Sequence, residues 1–191
     1  MIKEILVNNI DNKDDNYIIE LVKNGNCAAF SIIVTRYKQQ VANTIVGMLG
    51  NCAEADDVGQ ETFIRFYKSI NNFRGDSSLG TYLTRIAINL SLNELKRRKR
   101  KHMFFHSDSD EKSNEISNGD SDFEKNDTKE TVDIAIKNLK PEFRSVIILR
   151  LVNGYSTKET AEILNLPVGT VLSRLSRAQI KLKDELKKII I

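Results

Sequence analysis

After His106 the chain changes character, and this break constrains its architecture more than any other feature. From Ser107 to Glu130 nine acids face three lysines, and Ile116 and Phe123 are almost the only large apolar side chains. Such a segment buries too little apolar surface to offset the entropy lost on ordering. The sequence therefore predicts a flexible acidic linker over 106–130. Extended, the stretch from Ser107 to Glu130 could span at most ~80–85 Å. Two blocks remain, 1–105 and 131–191. Both carry helical periodicity, and two prolines and nine glycines in 191 residues leave few breakers. The expected fold is all-α, with two small, independently folded helical domains joined by the linker.

In the first block Tyr17, Ile18, Leu21 and Val22 share one helical face, which Asn24-Gly25-Asn26 ends. Phe30, Ile33, Val34, Tyr37, Val41, Ile45 and Met48 recur every three or four residues and mark a longer helix. A third begins near Glu54-Ala55-Asp56-Asp57, where acids suit the positive end of the helix dipole. It carries Val58, Thr62, Phe66 and Ile70 down one face. Asn71 to Ser78 reads as a loop, and a fourth helix runs from about Leu79 to Lys101. That helix ends in six consecutive bases, Lys96 to Lys101, a run that binds phosphate by counterion release without reading sequence. Upstream, Phe73, Tyr82 and Asn89 offer two ring faces and an amide, the combination that single-stranded DNA binding uses beside a basic track. Plainer roles fit the same residues: Phe73 and Tyr82 as core, the bases as a solvated helix end.

In the second block Pro141 and Pro167 each fit the first position of a helix, where a missing N–H costs nothing. Ser156-Thr157-Lys158-Glu159 is a capping-box pattern. A short helix from Ser156 to Leu164, a tight connection at Asn165-Leu166-Pro167-Val168 and a longer helix to about Leu186 give a helix-turn-helix. The second helix of this motif lies in the major groove. Here Val171, Leu175, Ala178 and Leu182 face inward, while Thr170, Ser173, Arg174, Arg177 and Lys181 face outward. An arginine fork takes a guanine or a phosphate bidentately, and short hydroxyls bind phosphate. On charge alone, a solvated basic face on an ordinary helix looks the same.

Several function classes fit poorly. No apolar run reaches the ~18 residues of a membrane span, so no direct membrane insertion is expected. The start, MIKEILVNNIDNKDDN, lacks a signal-peptide cleavage site, and Cys27 and Cys52 read as reduced core thiols of a cytoplasmic protein. The net charge of +3 is too weak to identify a nucleic-acid partner; its distribution says more. Glu54, Asp56, Asp57 and Glu61 suggest a metal nuclease at first sight. Adjacent carboxylates, however, point ~100° apart on a helix of ~3.6 residues per turn, and no base or nucleophile accompanies them. No catalytic residue or cofactor is expected. His102 and His106 stand four apart without any paired-cysteine spacing, so no metal is expected either. A stand-alone helix-turn-helix repressor or activator explains the second block and leaves Asp57, Gln60, Glu61 and the basic run without a purpose.

Three ordered segments carry a resemblance. The run Ala55-Asp56-Asp57-Val58-Gly59-Gln60-Glu61-Thr62-Phe63-Ile64 resembles the core-binding segment of bacterial sigma factors. Phe73-Arg74-Gly75-Asp76-Ser77-Ser78 with Thr81-Tyr82-Leu83-Thr84-Arg85-Ile86-Ala87-Ile88-Asn89 resembles their promoter-melting segment. Gly169-Thr170-Val171-Leu172-Ser173-Arg174-Leu175-Ser176-Arg177-Ala178 is similar to the recognition helix of the extracytoplasmic-function group. The resemblance implies an alternative sigma factor that binds core RNA polymerase, directs it to promoter DNA and captures the melted −10 element. Asp57, Gln60 and Glu61 would grip the polymerase. Phe73, Tyr82 and Asn89, with Lys96, Arg97 and Arg98, would handle the −10 region. Thr170, Ser173, Arg174, Arg177 and Lys181 would meet the −35 element. The linker would thread positively lined channels of the polymerase. An anti-sigma factor, often membrane-anchored, and a role in stress response are implied as well. The chain departs from the family pattern at Tyr82, where tryptophan is usual, at Leu172, often basic, and at Ser176, often bulkier.

Overall fold

The computed structural model describes residues 14–105 and 128–190. The expectations placed on the N-terminus, on His106 and on most of the linker lie outside the described residues. Among these, all regular structure is helical: α1 (Asp15–Lys23), α2 (Cys27–Leu49), α3 (Ala53–Ser69), a 3₁₀ turn (Ile70–Asn72) and α4 (Leu79–Phe105) in the first block. The second holds α5 (Thr128–Asn138), α6 (Pro141–Ile147) continuing into a π-helical turn (Ile148–Val152), α7 (Thr157–Leu164) and α8 (Val168–Ile190). Helix α5 begins three residues before the boundary expected for the second block.

Local chemistry sets these boundaries. Asn26 accepts a hydrogen bond from the Ala29 N–H at 3.2 Å and caps α2, and Gly50 ends that helix at φ +81°. A left-handed φ there suits glycine because no Cβ meets the following carbonyl. Helices α1 to α4 pack as a bundle around Ile18, Ile33, Ile45, Met48, Phe66, Leu83 and Ile88, all less than 2 % exposed. Phe66 is the hub, with ring centroids of Phe30, Phe73 and Tyr82 at 6.2, 6.1 and 5.9 Å.

In the second block the capping box forms: Ser156 Oγ accepts from Glu159 N at 3.2 Å and Glu159 Oε2 from Ser156 N at 2.8 Å. Asn165, left-handed at φ 52°, ψ 52°, ends α7 and turns the chain towards α8. Pro141 occupies the first turn of α6 as expected. Pro167 instead precedes α8, with its carbonyl accepting from Thr170 N and Val171 N at 2.9 and 3.1 Å. The tight turn uses that carbonyl to start the helix. Cys27 also corrects the expectation of a core thiol: it opens α2 on the solvent side and is exposed, while Cys52 is half-buried with Sγ accepting from Arg98 at 3.0 Å.

Sequence reading placed no contact between the blocks, yet they pack against each other. Ile136, Leu139, Phe143, Ile147, Ile148 and Leu149 join the first block's core in one continuous cluster. Ile148 lies over Gly47, where an added Cβ would stand 2.6 Å from Ile148 Cδ1, so a larger residue at 47 would push the Ile148 side chain aside. Three polar side chains of the second block reach across beside it. Tyr155 hydroxyl accepts from Gln40 Nε2 and shares a 2.7 Å bond with Thr84 Oγ1. Asn153 Nδ2 donates to Thr44 Oγ1 at 2.8 Å. Arg144, 7 % exposed, donates to the Met48 carbonyl at the end of α2 and to the Lys137 and Leu139 carbonyls at the end of α5. Helix C-termini present unpaired carbonyls and negative dipole ends, so a cation fits there. Burial, with Arg98 nearby, lowers the Arg144 guanidinium to about 10. Burying a charge is costly unless its hydrogen bonds are met; here carbonyls receive both Nη groups, while the buried Nε has no partner.

Candidate polymerase and nucleic-acid surfaces

Helix α3 turns Thr62 and Phe66 into the core, with Thr62 Oγ1 tied back to the Val58 carbonyl at 2.7 Å. The opposite side carries Asp57 and Gln60, both exposed, and half-exposed Glu61, which pairs with Arg65 one turn on (Oε1 to Nε 2.7 Å). The three expected residues thus stand together. Ile64, 45 % exposed, continues the same stripe at the next turn. An exposed isoleucine flanked by acids and an amide suits a partner surface that is basic with an apolar seat. Sequence reading missed Ile64 because it looked for the buried face only; its spacing from Asp57 and Gln60 was the available signal.

The loop before α4 turns at Gly75, φ +77°. Ser78 caps the helix, accepting from Thr81 N at 3.2 Å. Loop and helix enclose a cleft of about 290 Å³ lined by Asn72, Arg74, Asp76, Ser77, Tyr82 and Arg85, with Glu162 of α7 at its edge. Phe73 also borders it, but its ring is 8 % exposed and packs edge-on to Tyr82 at 5.1 Å. Asn89 is exposed one turn beyond Arg85. Arg85 had no role in the sequence reading, although it sits three residues after Tyr82 and four before Asn89. Its half-buried position places a cation at the cleft.

The basic end of α4 divides. Lys96 and Lys99 are exposed and reach a second cleft. Arg97, also exposed, forks onto Glu94 through Nε and Nη2 at 2.7 and 2.9 Å. Arg98 turns inward, to Glu94 at 3.1 Å, Glu54 at 3.2 Å and the Cys52 sulfur. Hydrogen bonding from Arg97 holds the Glu94 carboxyl below its usual range, with Arg98 adding to it. A bond from its own backbone N–H lowers Glu54, helped by the Arg98 charge. Arg98 therefore ties α4 to the α2–α3 corner.

On α8, Val171 and Ala178 are wholly buried, and Leu175 and Leu182 pack beside them. Ser173 and Arg177 face solvent, Ser173 Oγ bonding the Thr170 carbonyl at 3.0 Å, while Thr170 is half-buried. Lys181 leans over the Phe143 ring, 5.8 Å from its centroid. Arg174 is half-buried and shares with Lys96, Lys99 and Lys140 a cleft of about 540 Å³ between the blocks. Val168 and Leu172 are exposed at the start of the helix, at 46 and 53 %. Among the described residues no group of three or more His, Cys, Asp or Glu could hold a metal ion, and no helix is long and apolar enough to cross a membrane.

Comparison with known proteins bears on both blocks. Residues 33–101 match the family description Sigma-70 region 2, and residues 130–182 match Sigma-70, region 4. The chain is 34% identical over 177 residues to the RNA polymerase sigma-H factor of Pseudomonas aeruginosa, covering 87% of this chain and 91% of that one. It is 34% identical over 184 residues to the ECF RNA polymerase sigma-E factor of Escherichia coli, covering 92% and 96%. Two solved structures share the fold, each with a TM-score of 0.65. One is the sigma factor RpoE of Bartonella quintana in complex with the anti-sigma factor NepR (22% identity, 83% of this chain, 96% of that one). The other is CnrH in complex with the cytosolic domain of CnrY (24% identity, 91% and 97%).

Proposed function

Since this chain belongs to the extracytoplasmic-function sigma factors, which direct RNA polymerase to promoters, we propose that its two blocks divide that task between them. The first binds core polymerase through Asp57, Gln60, Glu61 and Ile64 on α3. It captures melted −10 DNA at the cleft of the Gly75 loop, where Tyr82 gives a ring edge, Arg85 a cation and Asn89 an amide. Phe73 acts by backing Tyr82, since its own ring is packed inward. Lys96 and Lys99 hold phosphate, and Arg97 joins them once it leaves Glu94. Flipping a base costs a few kcal/mol, which stacking and hydrogen bonds in a prepared pocket offset. The chemistry of RNA synthesis belongs to the polymerase; this subunit biases the duplex towards opening and needs no catalytic residue or cofactor.

The second block meets the −35 element with α8. Arg177 and Ser173 are presented for base edges or phosphate, and Arg174 follows when the cleft opens. Leu172 and Val168 suit thymine methyl groups in the major groove. The site of action is the cytoplasm, where the polymerase works. RpoE is seen in complex with the anti-sigma factor NepR and CnrH with the cytosolic domain of CnrY, and an anti-sigma partner is proposed here too.

The observation that carries this reading is the exposed α3 stripe on a helix whose other face is buried. The test is the double change Asp57→Lys with Glu61→Lys. It should abolish binding to core polymerase and transcription while leaving helical content intact, since surface changes usually alter stability within ~0.5 kcal/mol. Wild-type affinity for core polymerase in this variant would place the interface elsewhere.

A further inference from the structure

Four cations meet in one place without a counter-charge. Lys96 and Lys99 on α4, Lys140 just ahead of α6 and Arg174 on α8 line a cleft of about 540 Å³. Among the described residues none of these four side chains pairs with a carboxylate. Other bases nearby do find partners: Arg97 and Arg98 pair with Glu94, and Lys188 with Glu185. In the lining itself the four cations face a single acid, Glu142. Like charges beside an apolar wall repel more strongly than in open water, and a polyanion between them relieves that repulsion.

The lining is also graded. Leu92, Leu95, Lys96 and Lys99 fall on one stripe of α4 at spacings of three and four. The wall therefore passes from apolar to basic over about 10 Å, at ~1.5 Å per residue. Half-buried Leu164 and Leu166 add to the apolar part. A bare inorganic ion uses the basic end alone. A ligand that fills both ends carries several negative charges at one end and a flat or apolar body at the other. The volume falls within the ~300–1,000 Å³ of small-molecule sites. Glu142 offers an acceptor for hydroxyl or amino groups of such a ligand.

We infer that this cleft binds a nucleoside polyphosphate, its phosphate chain on Lys96, Lys99, Lys140 and Arg174 and its base against the leucines. Lys96, Lys99 and Arg174 are assigned above to DNA phosphate, and a nucleotide presents the same chemical group. Lys140 has no part in either surface and belongs to the cleft alone. Because its cations come from both blocks, the occupied cleft ties the blocks together and stabilises the whole chain.

Calorimetric titration of the full chain with ATP in magnesium-free buffer tests this, with tripolyphosphate and adenosine as partial ligands. ATP should bind, and at about a hundredfold above Kd it should raise Tm by ~5–10 °C. Each partial ligand should bind roughly tenfold more weakly, since each leaves part of the cleft unfilled. Absence of ATP binding overturns the site, and tripolyphosphate binding as tightly as ATP overturns the nucleoside assignment. Lys140→Glu should weaken ATP binding by roughly tenfold or more. Lys38→Glu makes the same charge change on an exposed part of α2, and should leave affinity within about twofold. Equal losses in the two variants would mean that net charge alone draws the anion, which overturns the site. Should Lys140→Glu not fold, acetylation of the wild-type chain decides the matter. ATP should shield Lys96, Lys99 and Lys140 from acetic anhydride and leave Lys38 reactive, whereas even protection of all four, or none, overturns the proposal. None of these measurements involves polymerase or DNA, so their failure and that of the sigma-factor reading are distinguishable.

Discussion

The two helical blocks stabilise themselves in different ways. In the first, Phe66, Ile18, Ile33, Ile45, Met48, Leu49, Leu83 and Ile88 are fully buried and converge on an aromatic hub. In the second, the wholly buried large side chains are Ile147, Ile148, Leu149 and Ile163, and these belong to the cluster shared with the first block. The core that the second block keeps to itself is Val146, Ala161 and Val171. A domain of about 60 residues buries a smaller share of its surface than a larger one does, ~60%, and is marginal alone. The lesson is that a small helix-turn-helix gains order from local devices, caps and turns, and gains burial by leaning on a neighbour.

This contrast can be broken at its strongest point first. Phe66→Ala should cost ~3–5 kcal/mol, because three rings close around it and cannot refill the space. Denaturant unfolding of the whole chain measures this, and a loss below 1 kcal/mol would deny Phe66 its place as hub. Arg144→Met comes next. It leaves the Met48, Lys137 and Leu139 carbonyls without their donor, an expected loss of about 2 kcal/mol. The effect should fall on the second block, so that calorimetry resolves two transitions in place of one. A uniform shift of a single transition would mean that the blocks do not depend on this contact.

Smaller changes sharpen the comparison. Ser156→Ala removes one half of the capping box and should cost ~1 kcal/mol. Faster amide exchange confined to α7 would show local order there, while equal acceleration in α2 would show that the turn is coupled to the whole. The smallest effect concerns acid. Arg97 holds Glu94 below the ordinary carboxylate range, so its ionised form favours the folded state. That contribution is present above the unfolded value of ~4.3 and is lost as the pH falls through the lowered folded value. Glu159, lowered by the Ser156 side chain and then its N–H, acts likewise in the second block. Glu94→Gln should therefore flatten the decline of Tm between about pH 5 and 2. An unchanged acid limb would leave the Arg97 fork without a role in stability.

Much of the site was legible because it depends on spacing along single helices. Asp57, Gln60 and Glu61 fall on one face by arithmetic of the helix, and the capping box at Ser156 and Glu159 is a four-residue pattern. The misses have other causes. Arg98 and Arg97 belong to the same basic run as Lys96, yet one turns inward to Glu54 and Cys52 and the other forks onto Glu94. Phe73 carries a ring suited to stacking, but Phe66 and Tyr82 hold it inside. Arg85 lines the cleft on the same helical stripe as Tyr82 and Asn89, a spacing that marked it without showing the cleft. The inward turn of Arg98 was set by Glu54 and Cys52, more than forty residues away, whereas the Arg97 fork is an i,i+3 pair that the sequence did offer.

The sequence by itself determined the helices, their caps, the inward stripes, the break after His106 and the family-like order of the three segments. All of these follow from interactions within a few residues, which periodicity and composition record directly. Only the tertiary structure decided which member of each charged run faces out, where Glu162 comes to rest, and that Gly47, Gln40, Thr44 and Thr84 receive Ile148, Tyr155 and Asn153. Those contacts join residues separated by 71 positions or more along the chain. A glycine at 47 looks like any helical glycine until the side chain that fills its space is brought against it, because packing between distant helices leaves no periodic trace in either one.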